Sequence, residues 1–400
     1  MLQASHLKSL MISQGKIDWS TGIDEETPMP SSVGEFFNRV SFVAARVTDA
    51  CNIQCSYCNA EAGCSTSPKM PIATFRRFCD GYIPSSQFKQ ITIEFHGGEP
   101  TLMSDAWFQD AVNYAKEKAF LWDKELTLAM QTNGTLMSEE RLLMFRDLGI
   151  NLGLSCDGPP EVNDRRRHKG HLVEQTLALA QKHKIPLGLT LVLNPGNYKC
   201  IREAMDFFAK YGIRGYHMNF LEPQGRNQER LTVDNMMEGA CAAFHYMADT
   251  NCSVIEARTQ QMVNRFKLGR SEGLHTCTHM ECGAGKWFIG MDWTGTISPC
   301  DTHVHEFALG DLWNGFDLER VKVQLTDFHR KGAWYIKCFT CEARKVCTFN
   351  CTMSTHKNPD VRDAECEFTI RMHKYMLDHW DAVEKIFNKL QESPRNRFFR

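Results

Sequence analysis

Between residues 39 and 220 the chain switches six times from strand-like to helix-like pattern. The strand-like stretches are 39–48 (RVSFVAARVT), 90–95 (QITIEF), 126–131 (LTLAMQ), 151–156 (NLGLSC), 185–193 (IPLGLTLVL) and 214–220 (RGYHMNF). Helical patterns fall at 105–119 behind Ser104, at 138–149 from Ser138 to Gly149, at 172–183 and at 198–212. Serine is a strong N-cap and glycine a common helix stop, so these ends have a physical basis. Strand and helix in alternation imply a parallel sheet with its helices outside. Six units fall two short of a closed eight-stranded barrel, so the expected fold class is α/β, a partial (β/α)6 barrel. The fifth strand is apolar enough to be buried on both faces. From about residue 231 the pattern turns helical, then becomes rich in cysteine and glycine, and 367–391 reads as a closing amphipathic helix. The expected organisation is an extension over 1–38, a partial barrel over 39–230, a helical connection over 231–274, a Cys-rich domain over 275–370 and a helix with tail over 371–400.

In such a barrel, ligands bind where the strands run out into the following loops. Four successive loops carry polar or glycine-rich chemistry: CNIQCSYC (51–58), HGGEPT (96–101), TNGT (132–135) and SCDGPP (155–160). Their convergence on one face carries more weight than any single motif, since a lone Gly-Gly pair usually marks only a tight turn.

The 17 cysteines fall into groups. Cys51, Cys55 and Cys58 form the first. Cys277, Cys282 and Cys300 form the second. Cys338, Cys341, Cys347, Cys351 and Cys366 form the third, and six more are scattered. The N-terminus lacks the apolar core of a signal peptide, and no stretch is long and apolar enough to span a membrane. The expectation is a cytoplasmic protein, where clustered thiols serve metal or redox chemistry rather than disulfides. A net charge of −2 argues against a general nucleic-acid binder. Cys51-x3-Cys55-x2-Cys58 offers three thiolates, one short of a closed zinc site. Three suit a 4Fe–4S cluster with one iron left open.

On these residues the chain resembles the radical S-adenosylmethionine (SAM) enzymes. The three-cysteine loop after the first strand, with Tyr57 before the last cysteine, and the GGEP at Gly97–Pro100 are that superfamily's motifs. The resemblance implies that the open iron chelates SAM and that Gly97, Gly98 and Glu99 serve its amine. It further implies that Thr132, Asn133, Ser155 and Asp157 contact the cofactor at the third and fourth loops, with Asp157 facing the ribose. Arg167 would pair with its carboxylate, although the family's stretch appears here as NDRRR. The implied chemistry is one-electron cleavage of SAM to a 5′-deoxyadenosyl radical that abstracts hydrogen from carbon.

Cys282-x12-Gly295-x4-Cys300, then Cys338-x2-Cys341-x5-Cys347-x3-Cys351 and Cys366, resembles the SPASM domain, and Cys277 supplies an eighth thiol. The resemblance implies two auxiliary 4Fe–4S clusters, three clusters in all. Cys277, Cys282, Cys300 and Cys351 would hold one, and Cys338, Cys341, Cys347 and Cys366 the other. By the same likeness, Asp301 matches the proposed general base of sulfatase-maturing relatives; a turn aspartate is the plain alternative. SPASM enzymes act on peptides or proteins. The first reading is a maturase that crosslinks a ribosomally made peptide. The alternative is oxidation of Cys or Ser to formylglycine in a sulfatase. A zinc-knuckle binding protein is the rival of another class. Expected partners are a precursor peptide or protein substrate, a one-electron reductant such as flavodoxin or ferredoxin, and a separate leader-recognition protein, with no nucleic acid and no membrane.

Overall fold

The structure, a computed structural model, describes residues 28–60, 62, 68–223, 225–269, 277, 282–301, 307–332, 336–347, 351–357 and 359–392. Residues 1–27, and with them most of the expected extension, lie outside that set, as do Cys64, His275 and His279.

The six expected strands form: β1 (Phe42–Arg46), β2 (Gln90–His96), β3 (Glu125–Thr132), β4 (Ile150–Ser155), β5 (Leu187–Leu193) and β6 (Gly215–Phe220). They pair in sequence order and in parallel. Helix α1 (Ser31–Phe37) precedes β1, and α2 (Ile72–Ser85), α3 (Asp105–Leu121), α4 (Glu139–Asp147), α5 (Gly170–Lys182) and α6 (Ile201–Lys210) fill the crossovers. The Ser104 and Ser138 side chains accept from the N–H groups of Trp107 and Arg141, and Gly149 takes φ +68° just beyond α4.

The sheet runs further than the six strands. A short β7 (Ile255–Glu256) extends it beyond β6, between α7 (Val233–Asp249) and α8 (Ala257–Leu268). On the other side β8 (Phe288–Met291) adds in parallel to β1. The antiparallel β9 (Thr296–Ser298) and β10 (Gly310–Asp311) follow. The Cys-rich part is therefore continuous with the barrel sheet through the β1–β8 pair. It continues into α9 (Leu318–Gly332), α10 (Pro359–Asp378) and α11 (Trp380–Gln391). The single closing helix expected over 367–391 is thus two, which meet at His379, a non-helical residue at φ −117°, ψ 43°.

The fifth strand was expected to be buried on both faces, yet its burial alternates. Leu187, Leu189, Leu191 and Leu193 are buried while Gly188 is exposed and Thr190 and Val192 are half-buried. β2 and β4 alternate in the same way. The leucines and isoleucines of these strands pack under the helices. The opposite face, with Glu94, His96, Gln131, Ser155 and Thr190, looks into an open lumen. An unclosed barrel leaves that face uncovered, and its polar and small residues leave room for a ligand.

Candidate functional site

The loop after β1 lies across the strand ends with Cys51 and Cys55 buried and Cys58 half-buried. The second motif is pressed onto it. Gly98 N–H donates to Thr48 O (2.8 Å), and Glu99 N–H to Ala50 O (2.7 Å). A Cβ on Gly98 would stand 2.1 Å from Ala50 O, and one on Gly97, at φ +140°, 2.3 Å from Thr48 O. Backbone oxygens cannot yield to such contacts, so both positions require glycine.

Glu99 is almost fully buried and its carboxylate is crowded with donors. Oε1 accepts from Thr101 N (3.0 Å), Thr101 Oγ1 (2.5 Å) and Thr132 Oγ1 (2.7 Å), and Oε2 from Asn133 N (2.6 Å). Glu99 thus ties the second loop to the third. Asn133 carries the tie onward to the cysteine loop, with Nδ2 2.9 Å from Asn52 Oδ1 and 3.8 Å from Cys51 Sγ. Asn52 returns a bond to Thr135 Oγ1 (2.7 Å).

A buried triad ties the first loop to the fourth and to Arg167 beyond it. Arg167 Nη1 donates to Tyr57 Oη (2.7 Å), and Tyr57 Oη donates to Asp157 Oδ2 (2.5 Å). Asp157 Oδ1 accepts from Val192 N (3.0 Å), which anchors the triad to β5. Burial pushes the Asp157 carboxyl above the usual range, against the pull of Arg167, Tyr57 and Val192 N–H. Burial also pushes the Tyr57 phenol well up. For Arg167, burial opposes the charge, but Tyr57, Cys55 and Asp157 outweigh it and keep the guanidinium protonated. Ser155 stands at the end of β4, half-buried, and accepts from Gln131 Nε2 (2.9 Å).

Several residues to which the sequence reading gave no role at the site brace the same loop. Arg226, after β6, donates to Cys55 O (3.0 Å) and Ala62 O (2.7 Å), and Lys169 Nζ to Asn52 O (3.1 Å). Ser56 N–H meets Arg166 O at 2.9 Å. Arg226 left no motif to find. His96 did, since it sits directly before the two glycines at the end of β2.

Burial pushes the Cys51 thiol up to about 11, so ligation there must displace a proton. Among the described residues no three His, Cys, Asp or Glu side chains gather closely enough to hold one ion. A multi-iron cluster spreads its thiolates over several metals and has no need of that gathering. Three soft thiol donors on one braced loop, beside a lumen lined with polar groups, fit a cluster of this kind and a polar ligand on it.

In the Cys-rich part, Cys282 and Cys300 pack half-buried against a small apolar group of Ala284, Phe328 and Met353. Met353 lies two residues beyond the exposed Cys351, so the structure brings these three cysteines to one neighbourhood. Cys338 lies in the short turn Ile336–Phe339, Cys341 and Cys347 flank the turn Glu342–Lys345, and Cys366 lies on α10. Cys277 is described as exposed, with its sequence neighbours outside the described residues. Asp301 follows Cys300, and its Oδ2 is 3.3 Å from His96 Nδ1. The carboxylate thus stands at the strand ends that carry the other loops.

Residues 46–219 match the radical SAM superfamily. The chain carries a radical SAM domain. A serine-type anaerobic sulfatase-maturating enzyme of Bacteroides thetaiotaomicron is 25% identical over 391 residues, covering 86% of this chain and 91% of that protein. Among solved structures, native anSMEcpe with bound AdoMet and Cp18Cys peptide aligns at TM-score 0.69 and 17% identity, covering 89% of this chain and 97% of that one. Streptococcus suis SuiB bound to precursor peptide SuiA aligns at 0.54 and 13%, covering 80% and 74%. Both structures share the fold of this radical SAM enzyme. SAM is its cofactor, and its iron–sulfur character follows from the superfamily.

Proposed function

We propose that this radical SAM enzyme is a SPASM-type maturase that oxidises a cysteine or serine of a peptide or protein to formylglycine. One observation carries the reading: the Asp301 carboxylate stands between the Cys300 thiol and His96 at the end of β2. The likeness to a sulfatase-maturating enzyme over 86% of the chain favours this substrate class over the crosslinking reaction that the sequence reading put first. Crosslinking stays as a second reading, supported by the fold it shares with SuiB.

When bound, SAM on its cluster supplies a hydrogen-abstracting radical. The chain's own groups do the rest. Cys51, Cys55 and Cys58 would hold the cluster. Gly97, Gly98, Glu99, Thr132, Asn133, Ser155, Asp157 and Arg167 shape the cofactor's seat, and Glu99 acts by fixing the second and third loops. Asp301 takes a proton from the substrate's hydroxyl or thiol as the neighbouring carbon loses its second electron; serine gives the aldehyde directly, and cysteine gives a thioaldehyde that water hydrolyses to the aldehyde with loss of hydrogen sulfide. Cys277, Cys282, Cys300 and Cys351 would hold one auxiliary cluster and Cys338, Cys341, Cys347 and Cys366 another, and such clusters would supply an acceptor for that electron. A flavodoxin or ferredoxin of a reducing cytoplasm starts the cycle. A leader-recognition protein belongs only to the crosslinking reading.

The test is an anaerobic assay with SAM and sulfatase peptides bearing Cys or Ser. The expected product carries an aldehyde that a hydrazine reagent traps, with one 5′-deoxyadenosine released per turnover. Asp301→Asn should still cleave SAM while aldehyde formation falls at least about a hundredfold. A product two hydrogens lighter that no hydrazine captures would shift the assignment to crosslinking.

A further inference from the structure

His96 ends β2 immediately before the first glycine of the second motif, and its register partner on β1 is Arg46. On its far side β1 pairs with β8. The Cys300–Asp301 peptide lies directly on β8, where a Cβ on Gly290 would be 2.5 Å from Cys300 O. The main chain of Asp301 is pinned there. Arg46 Nη1 donates to Asp301 O (3.3 Å), while Arg46 Nη2 pairs with Asp49 (2.6 Å) and Trp293 Nε1 donates to Asp49 (2.9 Å).

The carboxylate of Asp301 is held differently. Oδ1 accepts from the Cys300 thiol at 3.2 Å, and Oδ2 lies 3.3 Å from His96 Nδ1. That imidazole nitrogen is shielded from solvent and makes no aligned hydrogen bond to any described residue. Once Cys300 is a thiolate ligand it has no proton to donate. It then repels Oδ1 instead of holding it. Arg46 is committed to Asp49 and to the carbonyl of Asp301. Among the described residues His96 is the side chain that pairs with the other oxygen, and a small rotation turns a 3.3 Å contact into an aligned bond.

We propose that His96 is a positioning residue that holds the Asp301 carboxylate between the lumen and the cluster bound by Cys300, and so joins the barrel's second motif to the Cys-rich domain. This rests on the reading of Asp301 as the base and of Cys300 as a ligand. Without the N–H, the carboxylate turns away from the cluster, removing negative charge from its side and raising its midpoint potential.

Two substitutions separate the donor from the ring. His96→Asn keeps an N–H close to the position of Nδ1, and His96→Phe keeps the ring and removes the donor. Each is reconstituted anaerobically, and the cluster midpoints are read by a redox titration monitored by electron paramagnetic resonance. The expected result is a positive shift of one auxiliary midpoint in the Phe variant, with the SAM-binding cluster unmoved and the Asn variant close to wild type. If the Phe variant does not load iron, His96→Leu takes its place. Equal potentials in the donor-free and Asn variants overturn the proposal, as does a common shift of every cluster. With a cysteine-bearing sulfatase peptide, the Phe variant should release at least about tenfold more 5′-deoxyadenosine per product at unchanged KM, with rescue by Asn. A wild type that ignores this peptide would count against the formylglycine reading, while the potentials would still judge His96.

Discussion

At the scale of single residues, the site depends on side chains that bind other side chains. Glu99 is the sharpest case, because four protein donors converge on one buried carboxylate. Glu99→Gln would turn an amide N–H₂ toward at least one of those donors. Hydrogen bonds to a charged group carry about 2 kcal/mol, so a loss of about that size is expected in urea denaturation. The SAM dissociation constant, followed by equilibrium dialysis, should rise with it, because Thr132 and Asn133 lose their anchor. An unchanged stability would mean that Glu99 faces the cofactor rather than the loops. The GGEP motif was plain in the sequence, and so was the need for glycine. What the glycines approach was not, since their nearest atoms belong to residues 48–50, about fifty positions earlier. The Arg167–Tyr57–Asp157 chain was hidden for the same reason. Each residue could be named from a motif, but the bonds between them span 100 to 110 positions.

At the scale of elements, local signals told the truth about the barrel and little about what surrounds it. Serine caps and glycine stops act within a turn, so α3 and α4 begin and end close to where the sequence put them. β7 and β8 are short and take their identity from the neighbours they pair with, so no period of their own announced them. The break at His379 is also tertiary. His379 stacks on Tyr375 at 4.1 Å and lies edge-on to His245 of α7 at 5.3 Å, while His245 Nε2 meets Tyr375 Oη at 2.7 Å. This junction joins α7, α10 and α11, and it carries a pH dependence. Burial, and then the nearby His379, lower the His245 pKa from its ordinary 6.5, while Asp249 opposes and Arg202 assists. The unfolded chain therefore binds the proton more readily, and stability falls as pH falls through 6.5 toward the folded value. Thermal midpoints of wild type and His245→Gln should diverge between about pH 7 and pH 5, with wild type losing more. Parallel curves would show that the junction does not titrate in this range.

At the scale of the whole molecule, one sheet carries two chemistries. β1 has the SAM-side loops on the β2 side and the Cys-rich domain on the β8 side, so any movement of β8 reaches Asp301 and Cys300 directly. Gly290 is where this can be tested. A methyl group there would meet Cys300 O at 2.5 Å and Asp301 N at 2.6 Å, both backbone atoms that cannot rotate aside. Gly290→Ala should push the Cys300 segment off β8 and leave β2 and the first cysteine loop in place. Wild type with three clusters would hold about twelve irons, and the variant about eight, having lost the cluster on Cys300. Reductive cleavage of SAM should persist, because Cys51, Cys55 and Cys58 are untouched, while product formation stops. Iron analysis and 5′-deoxyadenosine release together decide the outcome. If iron falls to zero, the sheet transmits the damage to both sites and the two chemistries are not separable. If iron stays near twelve, Cys300 is not a ligand, and Asp301 would have to act as a base without a cluster beside it.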